Sequence, residues 1–389
     1  ILIDYLRHHK VKSIHYELIK ELLMTVVNLI NDEKQKNDLQ IIQFINLFYE
    51  IIYDDTKISH FLIQNGIHQI FFPYFNTLEA MKLYKELLIL DKAPKNLQLK
   101  SDLPKDHDQK QISYEEICLD HGYHTVVHFC IDNGVIPILL NLLQTELRSE
   151  ALKLIAVFGH YFYAAHEFLP VFQPLLDIFF DDENHLNKSL SLKAISIFAG
   201  KSKESLNFFL IPQLIQFFVA PPLDSPKIIK SLLFLAKNIM KLSYYIEDPQ
   251  IILTILQFVI ELLKGCDESL FKDCIVVFSK GTKSGDSFLQ ICLDHGIVQQ
   301  FFHLFESHSF PFHIKSQLFI TLCNFFEVSS FENSVRIVEC GFFQLLSDFL
   351  DSIGSRDDKI MTAALDALNN ALNLASHYSE VSDWKEIIF

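Results

Sequence analysis

The sequence predicts an all-α protein, a right-handed superhelical solenoid of about eight three-helix repeats. The first observation behind this is a set of recurring apolar segments led by glycine. Asn65-Gly66-Ile67-His68-Gln69-Ile70-Phe71-Phe72 and Asn133-Gly134-Val135-Ile136-Pro137-Ile138-Leu139-Leu140 are two, and others begin at His295-Gly296-Ile297-Val298 and Cys340-Gly341-Phe342-Phe343. Gly296 and Gly341 stand 45 residues apart, and weaker versions without glycine begin near Val171, Ile211 and Ile251. Steps of this length fit a helix, a glycine break and two further helices, stacked repeat on repeat. The second observation is the scarcity of turn formers, with 11 Gly and 12 Pro in 389 residues, which favours long helices over β structure. The third is composition: half the residues are apolar and 21% charged, enough to bury a large core and exclude wholesale disorder.

Each element follows from three- and four-residue apolar spacing. Tyr16–Ile30 and Asp38–Tyr53 read as two helices joined by the polar junction Asn31–Asn37. A short helix Thr56–Gln64 leads to Gly66, then a helix to about Asn76 and a long one from Leu78 to Leu90. Residues 91–116, with Pro94, Pro104 and many Lys, Asp and Gln, read as a polar insertion loop within one solenoid spanning 1–389. Gly134 opens the next middle helix, followed by a long helix Glu146–Phe158. Further pairs are Val171–Phe180 with Asn187–Phe198, Ile211–Phe218 with Ser225–Met240, and Gln250–Leu263 with Glu268–Ser279. Ser225-Pro226 supplies a cap and a first helical residue. Gly296 and Gly341 open the last two units, whose long helices are Phe312–Phe326 and Asp357–Leu374. The 36 Phe against a single Trp recur at helical spacing and read as core.

Net charge is −15, from 33 Lys plus Arg and 48 Asp plus Glu, which disfavours nucleic acid or an anionic membrane as a bulk partner and leans toward basic ones. The seven cysteines form no CxxC pair and read as reduced core thiols of an intracellular protein, cytoplasmic or nuclear. The longest apolar runs are too short or too interrupted to span a bilayer. The start at Ile1 and the short tail after the last long helix suggest a chain incomplete at both ends.

Short-helix, glycine, middle-helix, long-helix steps are the armadillo unit, and several stretches resemble importin-α proteins within that family. Asp357–Leu372 is similar to their penultimate long helix, Ile337-Val338-Glu339-Cys340-Gly341 and Cys130-Ile131-Asp132-Asn133-Gly134-Val135-Ile136-Pro137 to their glycine junctions, and Phe198-Ala199-Gly200-Lys201 to a long-helix exit. The resemblance implies a concave groove that recognises extended basic nuclear-localisation peptides. In that family a Trp and an Asn four residues apart, on one face of successive long helices, hold aliphatic Lys stems and clamp the peptide backbone. The matching positions here pair Lys153 with Val157, Leu192 with Ser196, Phe234 with Asn238, Asp273 with Val277, Ile320 with Asn324, and Asp366 with Asn370. No pair keeps Trp, and Trp384 lies outside any such helix. The candidate groove residues are therefore Lys153, Ser196, Phe234, Asn238, Asp273, Asn324, Asp366 and Asn370. The asparagines have a second reading, as helix-end or inter-repeat hydrogen bonds. The resemblance also implies importin-β as a partner through the family's basic N-terminal arm, which truncation before Ile1 would have removed from this sequence.

Other patterns carry no chemistry. His121, His124 and His128, with Cys118 and Asp120, lack a converging ligand set, so no metal or cofactor is expected. Gly200-Lys201-Ser202 lacks the leading glycine of a phosphate loop, since Ile195 stands there. Gly281-Thr282-Lys283-Ser284-Gly285 has the wrong spacing for a nucleophile elbow. Acidic junctions such as Asp181-Asp182-Glu183 read as solvated helix ends. The sequence thus points to a non-enzymatic adaptor that binds an extended, basic polypeptide, with nuclear cargo import as the family's implication. The alternative is a structural subunit of a larger cytoskeletal or ciliary assembly, packed by its outer faces.

Overall fold

The computed structural model describes residues 38–54, 62–91, 124–161, 164–222, 225–265, 268–307, 310–353 and 358–377, together with four isolated positions between 21 and 28. The expected helix Tyr16–Ile30, most of Thr56–Gln64, the insertion beyond Asp91, His121 and the tail containing Trp384 lie outside the described residues. Every described element is helical. Two compact units divide the chain, Ile1–Ala194 and Ile195–Phe389.

In the first unit the elements are α1 (Asp38–Asp54), α2 (Ile67–Phe71, running into a 3-10 turn Phe72–Tyr74), α3 (Leu78–Leu90), α4 (Thr125–Asp132) and α5 (Val135–Leu142). They continue with α6 (Arg148–Phe158), α7 (Ala164–Glu167), α8 (Leu169–Asp181) and α9 (His185–Ala199), whose last residues belong to the second unit. The long helices α1, α3 and α6 pack successively on one another. Tyr84 and Tyr161 are buried between them, and their hydroxyls donate to the carbonyls of His68 and Leu88.

The second unit comprises α10 (Lys203–Phe209), α11 (Pro212–Val219), α12 (Pro226–Met240), α13 (Pro249–Gly265), α14 (Glu268–Gly281) and α15 (Asp286–Asp294). After these come α16 (Ile297–Ser307), α17 (Phe312–Glu327), α18 (Phe331–Glu339), α19 (Phe342–Ile353) and α20 (Asp358–His377). The long helices again form a series, α12 on α14, α14 on α17 and α17 on α20. This is an armadillo-type array of helical triplets. In one step, α13–α14, a 3-10 turn at Ser243–Tyr245 stands in for the first helix.

The glycine junctions take the form the sequence implies. Gly66, Gly134, Gly296 and Gly341 precede α2, α5, α16 and α19 with φ of 77°, 78°, 70° and 95°. A side chain strains that left-handed conformation by about 1 kcal/mol. At Gly134 a Cβ would meet no atom within 4 Å, so glycine is needed there for its torsion and not for space. Thr77, Ser202 and Ser330 cap α3, α10 and α18, their hydroxyls accepting from the N–H groups of Ala80, Ser205 and Asn333. Ser225 makes no such bond; α12 starts on Pro226, whose fixed φ already suits a first helical position.

Polar groups staple neighbouring repeats. The acidic junction at Asp182, expected to be solvated, is instead tied down: its carboxylate accepts from Arg148 at 2.6 Å and Asn187 at 3.0 Å. In the second unit Asp286 accepts from the Ser330 N–H at 2.6 Å and the Asn333 amide at 2.9 Å. Cys130, Cys274, Cys292 and Cys323 are buried thiols, and burial pushes Cys323 up to about 12, which keeps it protonated and unreactive.

Asp91, only 1% exposed, closes the base of the insertion. Its carbonyl accepts from the His124 N–H at 2.9 Å, and its carboxylate accepts from Val126 at 2.8 Å and Thr125 at 3.2 Å, capping α4. His124 sits at φ 62°, a conformation uncommon outside glycine. Burial pushes the Asp91 carboxyl up to about 7, against the downward pull of these N–H donors. A raised carboxyl favours the folded state below the unfolded value near 4, and that contribution is lost as pH rises through about 7. Asp91→Asn, which keeps the shape without the charge, should remove a pH dependence worth up to about 4 kcal/mol. Urea unfolding of both proteins at pH 5 and pH 8 checks this: the variant should gain on the parent at pH 8, and an unchanged difference refutes it.

Candidate functional site

The packing of the second unit turns one side of each long helix into its neighbours and leaves the other to solvent. On α12, Leu232, Leu235, Ala236 and Ile239 are buried, whereas Phe234 and Asn238 are half-buried one turn apart on the open side. Gly200 makes room for the amide. A Cβ at Gly200 would come within 2.9 Å of the Asn238 Cβ, so the Gly200-Lys201-Ser202 stretch serves packing, with Ser202 as cap of α10.

The remaining candidate residues divide by what they touch. Asn324, near the end of α17, is half-buried, and like Asn238 its amide makes no hydrogen bond among the described residues. Asn370 differs: its Nδ2 donates to the Phe326 carbonyl at 2.9 Å. That carbonyl, in the last turn of α17, also accepts from the Ser329 hydroxyl, so Asn370 links two repeats through one N–H and keeps its second N–H and its carbonyl. Ser196 is a correction to the expected groove set, since it is fully buried and its Oγ donates to the Ser231 carbonyl at 3.4 Å. Its paired position Leu192 is buried too, as is Val277 beside Asp273. Lys153, in the first unit, is held by Glu150 at 2.5 Å. Asp273 and Asp366 are exposed, without an ion pair among the described residues. Within the second unit, Phe234, Asn238, Ile320, Asn324 and Asn370 are the uncharged members with open surface.

Sequence reasoning missed the charge of the best-preserved step. Lys227, Lys230, Lys237 and Lys241 share the open side of α12 with Phe234, spaced three and four residues apart. The Lys237 Nζ lies 5.2 Å from the centre of the Phe234 ring. Cationic side chains of a peptide would meet repulsion on this face. The spacing was visible in the sequence, but the overall negative balance concealed it.

Among the described residues no three His, Cys, Asp or Glu side chains gather as a metal would require. No single helix there is long and apolar enough to cross a membrane.

No protein-family model matches this sequence, and no curated protein does. Solved structures do. An engineered protein superimposes with a TM-score of 0.59 over 89% of this chain and 77% of its own, at 15% identity. A designed armadillo repeat protein in complex with the peptide (KR)4 matches 60% of this chain and 98% of its own, at 14% identity and a TM-score of 0.48. A second designed armadillo repeat protein matches 60% and 99%, at 15% identity and a TM-score of 0.49. At such identities the likeness of the first speaks to fold alone, and the two weaker ones add nothing to it. The helical triplets, glycine junctions and serial packing of long helices are this chain's own evidence for an armadillo-type fold.

Proposed function

We propose that this chain is a non-enzymatic protein-binding scaffold that holds an extended polypeptide across the open sides of its long helices. One observation carries the reading: Asn238 and Asn324 occupy corresponding positions on α12 and α17, half-buried, with amides uncommitted among the described residues. An Asn amide offers one N–H pair and one carbonyl, which complement the carbonyl and N–H of a peptide unit whatever its sequence. Phe234 adds an apolar contact one turn from Asn238. The finer form of the reading is a nuclear import adaptor paired with an importin-β-type carrier. It rests on the sequence resemblance and on Asp273 and Asp366, whose carboxylates favour cationic side chains at their two steps.

Fluorescence titration with short basic, acidic and neutral peptides tests the proposal. At least one class should bind. The double variant Asn238→Ala with Asn324→Ala should weaken it about thirtyfold, as loss of two hydrogen bonds of about 1 kcal/mol each implies. Binding by none of the three classes, or equal binding by the variant, overturns it.

A further inference from the structure

We propose that the open face of α12 docks an acidic peptide segment bearing an apolar side chain, an inference that rests on the scaffold reading above. From Ser225 to Ile246 the chain has four lysines and no Asp or Glu. At 3.6 residues per turn, Lys227, Lys230, Phe234, Lys237, Asn238 and Lys241 fall within an arc of about 100°. Lys227, Lys230 and Lys241 are exposed and Lys237 half-buried, and none has a carboxylate partner among the described residues. The one hydrogen bond they make is from the Lys241 Nζ to the Gly200 carbonyl at 3.3 Å.

Such a face is costly for a helix with only structural work. Like charges three and four residues apart repel, and Lys227 stands in the first turn, where the helix dipole disfavours cations. An ordinary solvated face intersperses acids, which this chain has in excess, 48 against 33 basic residues. A ligand supplying the missing carboxylates relieves that repulsion, gaining more on binding than it would at a neutral face. Its apolar side chain would seat on Phe234, between the stems of Lys230 and Lys237, and its backbone on the Asn238 amide.

The chemistry favours a peptide over other polyanions. Asp273, exposed on the adjoining helix α14, and the net charge of −15 oppose a nucleic acid or an anionic membrane, whose charge continues beyond this one face. A short acidic segment needs only the α12 face.

Titration at two salt concentrations tests this. The probes are a short Glu-rich peptide with one Leu, its Lys-substituted counterpart, a single-stranded oligonucleotide and anionic phospholipid vesicles. The acidic peptide should bind best and weaken with salt, and Lys230→Glu with Lys237→Glu should reduce its affinity at least about tenfold. The same variant should improve binding of the Lys peptide, while circular dichroism stays unchanged and the melting temperature does not fall, because the exchange relieves repulsion among the lysines. Phe234→Ala should erase the advantage of Leu over Ser in the peptide. Tighter binding of the oligonucleotide or vesicle overturns the inference. So does tighter binding of the Lys peptide by the parent protein; if that binding is lost on Asn238→Ala with Asn324→Ala, the scaffold reading survives alone. Binding of neither peptide removes this inference, and the scaffold reading falls with it only if a neutral peptide also fails to bind.

Discussion

Phe326→Ala should destabilise the chain by about 3–5 kcal/mol, the largest effect of any single side-chain deletion argued from this fold. Phe326 is fully buried at the end of α17. Its ring stacks on Phe342 at 4.7 Å between centroids and 14° between planes, and meets Phe343 at 5.9 Å. It therefore joins α17 to the glycine junction that starts α19. Its carbonyl also accepts from the Asn370 amide, so the same residue ties α17 to α19 through its side chain and to α20 through its main chain. Removing the ring opens a cavity between rigid helices that cannot close by side-chain motion alone. Urea unfolding should show the loss; a decrease below about 1 kcal/mol would mean that the inter-repeat aromatic contacts contribute little beyond their area.

Gly281→Ala should cost about 3 kcal/mol through overpacking, the upper part of the range for added core atoms. Gly281 is the last residue of α14 and has ordinary helical torsions, φ −63° and ψ −38°. Its requirement is space: a Cβ there would overlap the ring of Phe288, which is 1% exposed and lies 6.4 Å from the Phe325 ring. The ring, α14 or α15 must therefore shift. Combining Gly281→Ala with Phe288→Leu, which shortens the offending side chain, should recover part of the loss. A fully stable single variant would show that the junction of α14 and α15 gives way freely. Gly134→Ala, by contrast, would meet open space and pay only the torsional strain already described.

The two glycines mark how far sequence reading reaches. Gly134 was legible, because a glycine between two apolar helical runs recurs with the repeat and a left-handed junction is the conformation that demands it. Gly281 was not, since nothing in its neighbours announces that Phe288 will lie across its Cα. Helix limits behaved similarly. Leu78–Leu90 is placed as its apolar spacing implies, and Phe312–Phe326 extends by one residue. Before α13 the first helix of a three-helix repeat is reduced to the 3-10 turn Ser243–Tyr245, a distinction of one hydrogen-bond register that composition does not encode.

The candidate site was less legible than the fold for a related reason. Matched spacing assigned one role to Asn238, Asn324 and Asn370, yet tertiary contacts distinguish them: one N–H of Asn370 is tied to the Phe326 carbonyl, while Asn238 stays open above Gly200. Ser196 was placed in the groove by the same register and lies fully buried, because a small hydroxyl can reach the Ser231 carbonyl of the neighbouring long helix.

Taken alone, the amino-acid order determined an all-helical repeat array, its glycine junctions and the positions of its long helices, because periodicity and backbone torsion are local properties. Only the tertiary structure decided which polar groups remain available to a partner. Hydrogen bonds between repeats join residues some forty positions apart, and the exposure of the lysine face of α12 depends on which side of that helix its neighbours cover.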